Sequence, residues 1–374
     1  MNPRQRVLAV LNHNKPDRVP IDFGSTVFTT ITVKAYERLK KYLNIKNKTK
    51  VSHLVFQCAE VDEKILKVFN VDTRGLINKG PEGWLDVITD EGYHIDEWGI
   101  KRKISENGYM DIISSPFEND FSFKVMDNYN WPDGKDLGRV EEISSKAIKL
   151  RKETDYAIIL YIFGGITTMS QFLRGFEQWM IDLVDRESLI AELLDRLLKF
   201  YMDSTETALK AVNSDVDIVA FADDFASQKG MMFSPIYYRK LVKPRYQKLF
   251  NLVKEKSNAK VLFHSCGNVS SIIDDFIEIG VDALNPVQVT AEGMDPCKLK
   301  ERFGKKITFW GGVDSQDLLP KGSPQEVKKE VKRLIDTLGK GGGYILDAVH
   351  NVQNDVPPEN IVAMFEAAKE FGRY

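Results

Sequence analysis

His264 and Cys266 stand one residue apart, at the end of the apolar run Val261-Leu262-Phe263. In an extended segment residues two apart point the same way, so an imidazole and a thiol can aim at one point. Those two groups are preferred zinc donors. Gly267 follows and permits the close turn that would present them. A catalytic zinc commonly takes three protein ligands and keeps one position open. His350, at the end of the last apolar run, is the first choice for the third ligand. Asp224, Asp223 and Cys297 offer alternative donors, although Cys297 follows Asp295-Pro296 at a helix start and is poorly placed. The plainer readings make Cys266 a small buried hydrophobe and His350 a core histidine or general acid. Asp223-Asp224 then become loop solvation or a helix cap. Cys58, in a helical pattern, reads as core, and Met231, Met232, Tyr237, Tyr238 and Tyr246 read as packing.

Such donors matter only if the fold gathers them. Helical patterns at 139–153, near 168–212, and at 235–256, 268–279, 295–303 and 324–339 alternate with short apolar runs. The runs are 156–164, 217–225, 260–267, 281–287, 306–314 and 344–350. Pro357-Pro358 opens a last helix. This rhythm predicts βα units and a parallel sheet. A closed (β/α)8 barrel and an open doubly wound sheet both satisfy it. No Gly-rich dinucleotide fingerprint and no P-loop follows any strand. Polar residues mark successive strand ends: Asp223 and Asp224, His264 and Cys266, Asn285, Asp314, and His350. A barrel converges such ends on one face, where its active sites are built; an open sheet spreads them along an edge. The expected fold is therefore a (β/α)8 TIM barrel. Toward the N-terminus, 3–14 reads as a helix, IDFG (21–24) as a buried strand, and 33–43 and 58–69 as helices. The stretch DVITDEGYHIDEWGIKRKI alternates and is broken by glycine, which suggests an antiparallel meander. Residues 71–130 read as a β-rich insertion in a single 1–374 domain, because their own core would be small.

Composition bounds the partners. The 374 residues carry 52 Lys plus Arg against 54 Asp plus Glu, so no excess of cations exists to hold nucleic acid. Three cysteines cannot make a disulfide framework, and a reducing cytoplasm is the expected location. The opening MNPRQRVLAVLNHNKPDRVP has no apolar run long enough for a signal peptide, and no stretch is apolar enough for a membrane span.

Four stretches together resemble the uroporphyrinogen decarboxylase superfamily: RQRVLAVLNHNKPDRVP, FHSCGNVSSIIDDFIEIGVDALNPVQ, FWGGVDSQDLL and GGYILDAVHNVQNDVPPENI. The resemblance covers nearly the whole chain and implies a (β/α)8 barrel. The superfamily contains the haem-pathway decarboxylase, which uses no cofactor. It also contains zinc-dependent methyltransferases that work with corrinoid proteins. The decarboxylase carries an arginine-rich segment after its first strand, where guanidinium forks hold the substrate's carboxylates. Here that segment is IDFGSTVFTTITV, with no cation before Lys34. The decarboxylase also has a tyrosine in the segment that here reads TMSQFLRG, where Gln171 takes its place.

The methyltransferase branch is similar to this chain at His264 and Cys266, its His-x-Cys zinc pair. Its third ligand is commonly a cysteine near the end of the last strand. DAVHNVQ has none, and His350 is the nearest donor. Exchanging a thiolate for a neutral imidazole makes the metal a stronger Lewis acid, suited to an ether or alcohol oxygen. The resemblance implies Zn2+ at His264 and Cys266; on the residues themselves His350 is the expected third ligand, and the more electron-poor metal points to a small methylated substrate, with an O-methyl group first in line. Its methyl passes to cob(I)alamin on a partner corrinoid protein. A methylcobalamin:thiol methyltransferase and a metal-free decarboxylase are the alternatives. Asp224 and Asp223 are the candidate catalytic carboxylates, Asp224 as a fourth ligand or as the group that orients a ligating imidazole. Asp223, Gln228, Asn285, Gln288 and Asp314 are the candidates for substrate hydrogen bonds. The 71–130 insertion is expected to shape a docking rim for the corrinoid domain or to serve a homodimer.

Overall fold

The computed structural model describes residues 1–84, 87–105, 109–213 and 215–374. Seven strands pair in chain order into one sheet: Thr73–Ile77, Ala157–Tyr161, Ile218–Ala222, Lys260–His264, Ala283–Asn285, Thr308–Trp310 and Tyr344–Ile345. Every pairing between them is parallel. The two edges meet across residues 20–22. Leu346 N–H donates to Pro20 C=O and Asp22 N–H to Leu346 C=O, while Asp72 N–H donates to Ile21 C=O. Residues 20–22 thus act as the eighth stave of a (β/α)8 barrel.

The alternation of side chains explains why these runs are apolar almost throughout. Ala157, Ile159, Tyr161, Ile218, Ala220, Leu262, Ala283, Trp310 and Ile345 point inward and fill the barrel. Their neighbours Ile158, Leu160, Val219, Phe221, Val261, Phe263, Leu284 and Phe309 face the surrounding helices. Both faces of the sheet are covered, so no polar face is needed. Three alanines in the inner layer leave room for Trp310 and Tyr161. The helix Pro3–Leu11 plugs the far end with Val7, Val10 and Leu11, and the Thr308 hydroxyl donates to Val10 C=O. On the opposite face, Val27 and Phe28 of the 24–30 loop cover the inner layer.

Three expectations need correction. Residues 71–130 are not one insertion, because Thr73–Ile77 is a barrel strand between Ile21 and Ala157–Tyr161. The antiparallel meander is narrower: Tyr93–Ile95, Lys101–Ile104 and Met110–Ser114. Residues 85, 86 and 106–108 of that interval lie outside the described residues. The helix expected at 58–69 begins only at Glu63, capped by Asp62. Before it, Cys58–Ala59 forms an antiparallel pairing with Ile31–Thr32, so tertiary pairing overrides the local helical pattern. No described helix is long and apolar enough to cross a membrane.

Candidate metal centre

Lys260–His264 ends at the mouth of the barrel, and the four residues after it are fixed one amide at a time. Ser265 N–H donates to Asn285 C=O, Cys266 N–H to Asp224 Oδ1 at 2.7 Å, and Gly267 N–H to Gln288 Oε1 at 2.7 Å. Asn268 N–H donates to Ser227 C=O. Gly267 has φ +83°, and a Cβ there would stand 2.5 Å from the carbonyl oxygens of Ala226 and Ser227. Only glycine fits this turn, and the turn aims Cys266 back over the mouth.

One donor atom from each of His264, Cys266 and His350 falls within 4.8 Å of the others. Cys266 Sγ lies 3.4 Å from His264 Nε2. Tetrahedral zinc bonds of ~2.0–2.1 Å to nitrogen and ~2.3 Å to sulfur place neighbouring donors about 3.5 Å apart, so the pair already has the spacing an ion requires. The rings of His264 and His350 stand 5.4 Å apart at 66°. His264 Nδ1 is bonded to Asn285 Oδ1 and His350 Nδ1 to Asn351 Oδ1. An amide oxygen only accepts, so each Nδ1 carries the proton and each Nε2 keeps its lone pair. Burial holds the His264 pKa down, at about 4, against the opposing pull of Asp224. Burial likewise lowers that of His350. Both imidazoles are therefore neutral, the ligating form. Burial, reinforced by the charge of Asp224, pushes the Cys266 thiol well up; a bound cation would reverse that. His264 is buried, while Cys266 and His350 keep part of their surface open. The residues present fit a divalent ion of zinc type.

The remaining expected residues are placed differently. Asp224 does not orient an imidazole; it holds the Cys266 amide. Asp223 is fully consumed as a helix cap. Its oxygens accept from Thr167 N–H, Thr168 N–H, Thr168 Oγ1 and Tyr246 Oη at 2.6–2.7 Å, which anchors the start of Ile166–Arg174. Even so, burial raises its carboxyl pKa to about 6. A catalytic or substrate-binding role for Asp223 is corrected to a structural one. Asn285 Oδ1 bonds His264 and Gln288 Oε1 accepts from the Gly267 amide. Asp314 accepts from the amides of Gln316, Asp317 and Leu318. Gln228 is exposed and bonds to Gln316. Cys297 is exposed in the first turn of Pro296–Phe303 and outside the donor cluster.

Three contributors escaped the sequence reading. Phe28 stacks on His264 at 4.2 Å and 27°. Asn351 was legible as an amide beside a candidate ligand. Cys58 is buried, as expected, yet its sulfur receives Asn351 Nδ2 at 3.2 Å and so lies one residue behind His350.

Comparison with known proteins adds to this geometry. The family model for Uroporphyrinogen decarboxylase (URO-D) matches residues 99–371. The uroporphyrinogen decarboxylase of Pseudomonas fluorescens is 26% identical over 251 residues, 63% of this chain and 64% of that protein. The chain thus spans less than two thirds of that relative's length. The uroporphyrinogen decarboxylase of Prochlorococcus marinus is 29% identical over 181 residues, 48% of each. Among solved structures, a methyltransferase from Methanosarcina mazei matches with TM-score 0.67 over 99% of both chains at 20% identity, a likeness of fold.

Proposed function

The chain belongs to the uroporphyrinogen decarboxylase family, and on that footing we propose that it is a zinc-dependent methyltransferase. It moves a methyl group from an O-methyl compound to cob(I)alamin carried by a corrinoid protein. The observation that carries this reading is the meeting of His264, Cys266 and His350 with both imidazoles held in the ligating tautomer. The names of the curated relatives favour decarboxylation. Against it stands the 24–30 loop at the mouth, which brings Thr26, Phe28 and Thr29 and no cation for a polycarboxylate.

When bound, zinc supplies Lewis acidity at an open position. The chain's own residues do the rest. His264, Cys266 and His350 hold the ion. Asn285 and Asn351 fix the two rings, Asp224 and Gln288 fix the ligand loop, and Phe28 shields one face of His264 from water. The reaction is R–O–CH3 plus cob(I)alamin plus a proton, giving R–OH plus methylcob(III)alamin. The C–O pair stays on oxygen, the cobalt pair makes the Co–C bond, and water supplies the proton.

The test incubates protein purified without chelator with cob(I)alamin and a panel of O-, N- and S-methyl compounds, following the cobalt spectrum. Methyl transfer that needs about one zinc per chain is expected. Coproporphyrinogen formation from uroporphyrinogen by metal-free protein, with no methyl transfer, overturns the proposal. Asn351→Ala supplies a second check. Removing an acceptor that orients a ligating imidazole should weaken zinc binding by about 10- to 100-fold, read by competition with a chromophoric chelator. An unchanged affinity would remove Asn351 from the site.

A further inference from the structure

The tautomer of His350 depends on which end of the Asn351 side chain faces the ring. An amide oxygen there leaves the proton on Nδ1 and the lone pair on Nε2. An amide nitrogen would claim the lone pair of Nδ1 and put the proton on Nε2, where a metal must bind. The two ends of an amide have nearly the same shape, so packing does not choose between them. Hydrogen-bond partners do.

Those partners form a chain with one fixed end. Val352 bridges to Ile31 and its N–H donates to Thr30 C=O. On either side of it, Asn351 and Gln353 bring their side chains together. Gln353 Nε2 lies 3.2 Å from the backbone oxygen of Asn351. A carbonyl only accepts, so the end of Gln353 at that point is its nitrogen. The same nitrogen donates to Asn351 Oδ1. Turned over, Asn351 would set its own NH2 against this donor, so Oδ1 stays where it meets His350 Nδ1. The far end of Asn351 agrees. Its Nδ2 donates to Cys58 Sγ at 3.2 Å, and that thiol has Phe56 C=O at 3.5 Å for its own hydrogen. The far end of Gln353 leads outward: Oε1 accepts from Tyr109 Oη at 2.7 Å. Tyr109 stands just before Met110–Ser114 of the meander and is 43% exposed. The chain Tyr109–Gln353–Asn351–His350 thus runs from the surface to a metal donor, and each link decides the orientation of the next. His264 has a simpler form of the device. Asn285 Nδ2 points at Trp310 C=O, 3.5 Å away, and Oδ1 at His264 Nδ1.

We infer that Gln353 is a positioning residue that sets the tautomer of His350, and that Tyr109 extends this control to the meander. The inference rests on the metal centre of the proposed function, and Gln353 acts on it only through Asn351. A histidine side chain free in water favours the Nε2–H form. Without Gln353, His350 relaxes toward that form and must move a proton before it can ligate.

The test reads the tautomer directly, from the imidazole nitrogen chemical shifts of metal-free protein at neutral pH. His350 is identified by the signals lost in His350→Gln. The parent is expected to show a protonated Nδ1 and an unprotonated Nε2. Gln353→Met keeps the length and loses the amide, and should draw the two shifts toward each other as the Nε2–H form becomes populated. Gln353→Glu places an oxygen where Nε2 was, and should make the Nε2–H form dominant. Tyr109→Phe should move the shifts the same way by less. The His264 shifts should stay in place in all three, which also shows that the barrel is intact. In Gln353→Met, zinc affinity read by competition with a chromophoric chelator should fall about tenfold. His350 shifts that stay in place in both Gln353 variants overturn the inference, whether or not zinc binds. Shifts that stay in place in Tyr109→Phe overturn the extension to the meander. If the shifts respond as expected but the parent protein takes up no zinc, the control of the tautomer stands and the metal centre falls.

Discussion

Replacement of Cys266 by serine is expected to lower zinc affinity by roughly a thousandfold and to abolish methyl transfer. The reason lies in the donor set. Among the described residues of the proposed centre, Cys266 would supply the anionic ligand beside two neutral imidazoles. A serine hydroxyl does not ionise near neutral pH and binds the ion as a weak neutral oxygen. The loop would survive the change, because its turn is fixed through the amides of residues 265–268 and not through the sulfur. The loss should therefore appear as metal content per folded chain, with circular dichroism unchanged. Cys297→Ser is the matched control. It alters an exposed thiol on an outer helix and should leave zinc at the parental level. If Cys266→Ser retained full zinc, the ion would be held elsewhere and the proposed centre would be wrong. If Cys297→Ser lost it, the third ligand would have been misassigned.

The barrel was legible, and so was the convergence of His264, Cys266 and His350 at its mouth, because the βα rhythm and the polar strand ends are short-range signals. Runs such as Ala157–Tyr161 are apolar on both faces only when helices cover both sides, and their spacing by helices implies parallel pairing. His264 and Cys266 share a direction through strand geometry alone. The expectations that failed turn on partners distant in sequence. Thr73–Ile77 carries threonine, arginine and glycine, and reads as a strand only when Ile21 and Ala157–Tyr161 lie on its two sides. Gly75 passes so near Ser25 that a Cβ would stand 2.0 Å from its carbonyl oxygen, a close approach no local pattern announces. Asp223 and Asp314 stand at strand ends as an active site would require, yet both hold helix starts: Asp223 one that lies 55 residues away in sequence, and Asp314 the short helix that follows it directly. A polar residue at a strand end can therefore serve either chemistry or a cap, and the direction of its hydrogen bonds decides which.

Closure of the barrel gives the second large effect, at Asp72. This carboxylate is fully buried at the start of Thr73–Ile77. It accepts from Arg6 Nη1 at 2.7 Å, from Arg18 Nη1 and Nη2 at 2.8 and 2.9 Å, and from the Ile21 amide at 2.8 Å. Its own backbone pairs with Ile21 on one side and Ala157 on the other. The side chain thus ties the N-terminal helix, the 20–22 stave and the second stave at one point. Asp72→Asn keeps the shape, removes the charge and turns two acceptor sites into donors. Arg6, almost wholly buried, then loses its inner counter-ion and keeps only Asp17. Breaking a buried pair from one side costs about 3–5 kcal/mol, because the remaining charge stays desolvated. The urea midpoint should fall accordingly with an unchanged slope, since the surface exposed on unfolding is the same. A loss below about 1 kcal/mol, the scale of an exposed ion pair, would mean that backbone pairing and apolar burial close the ring without this carboxylate. Zinc content should hold in the folded fraction, because Asp72 touches none of the residues around His264, Cys266 and His350.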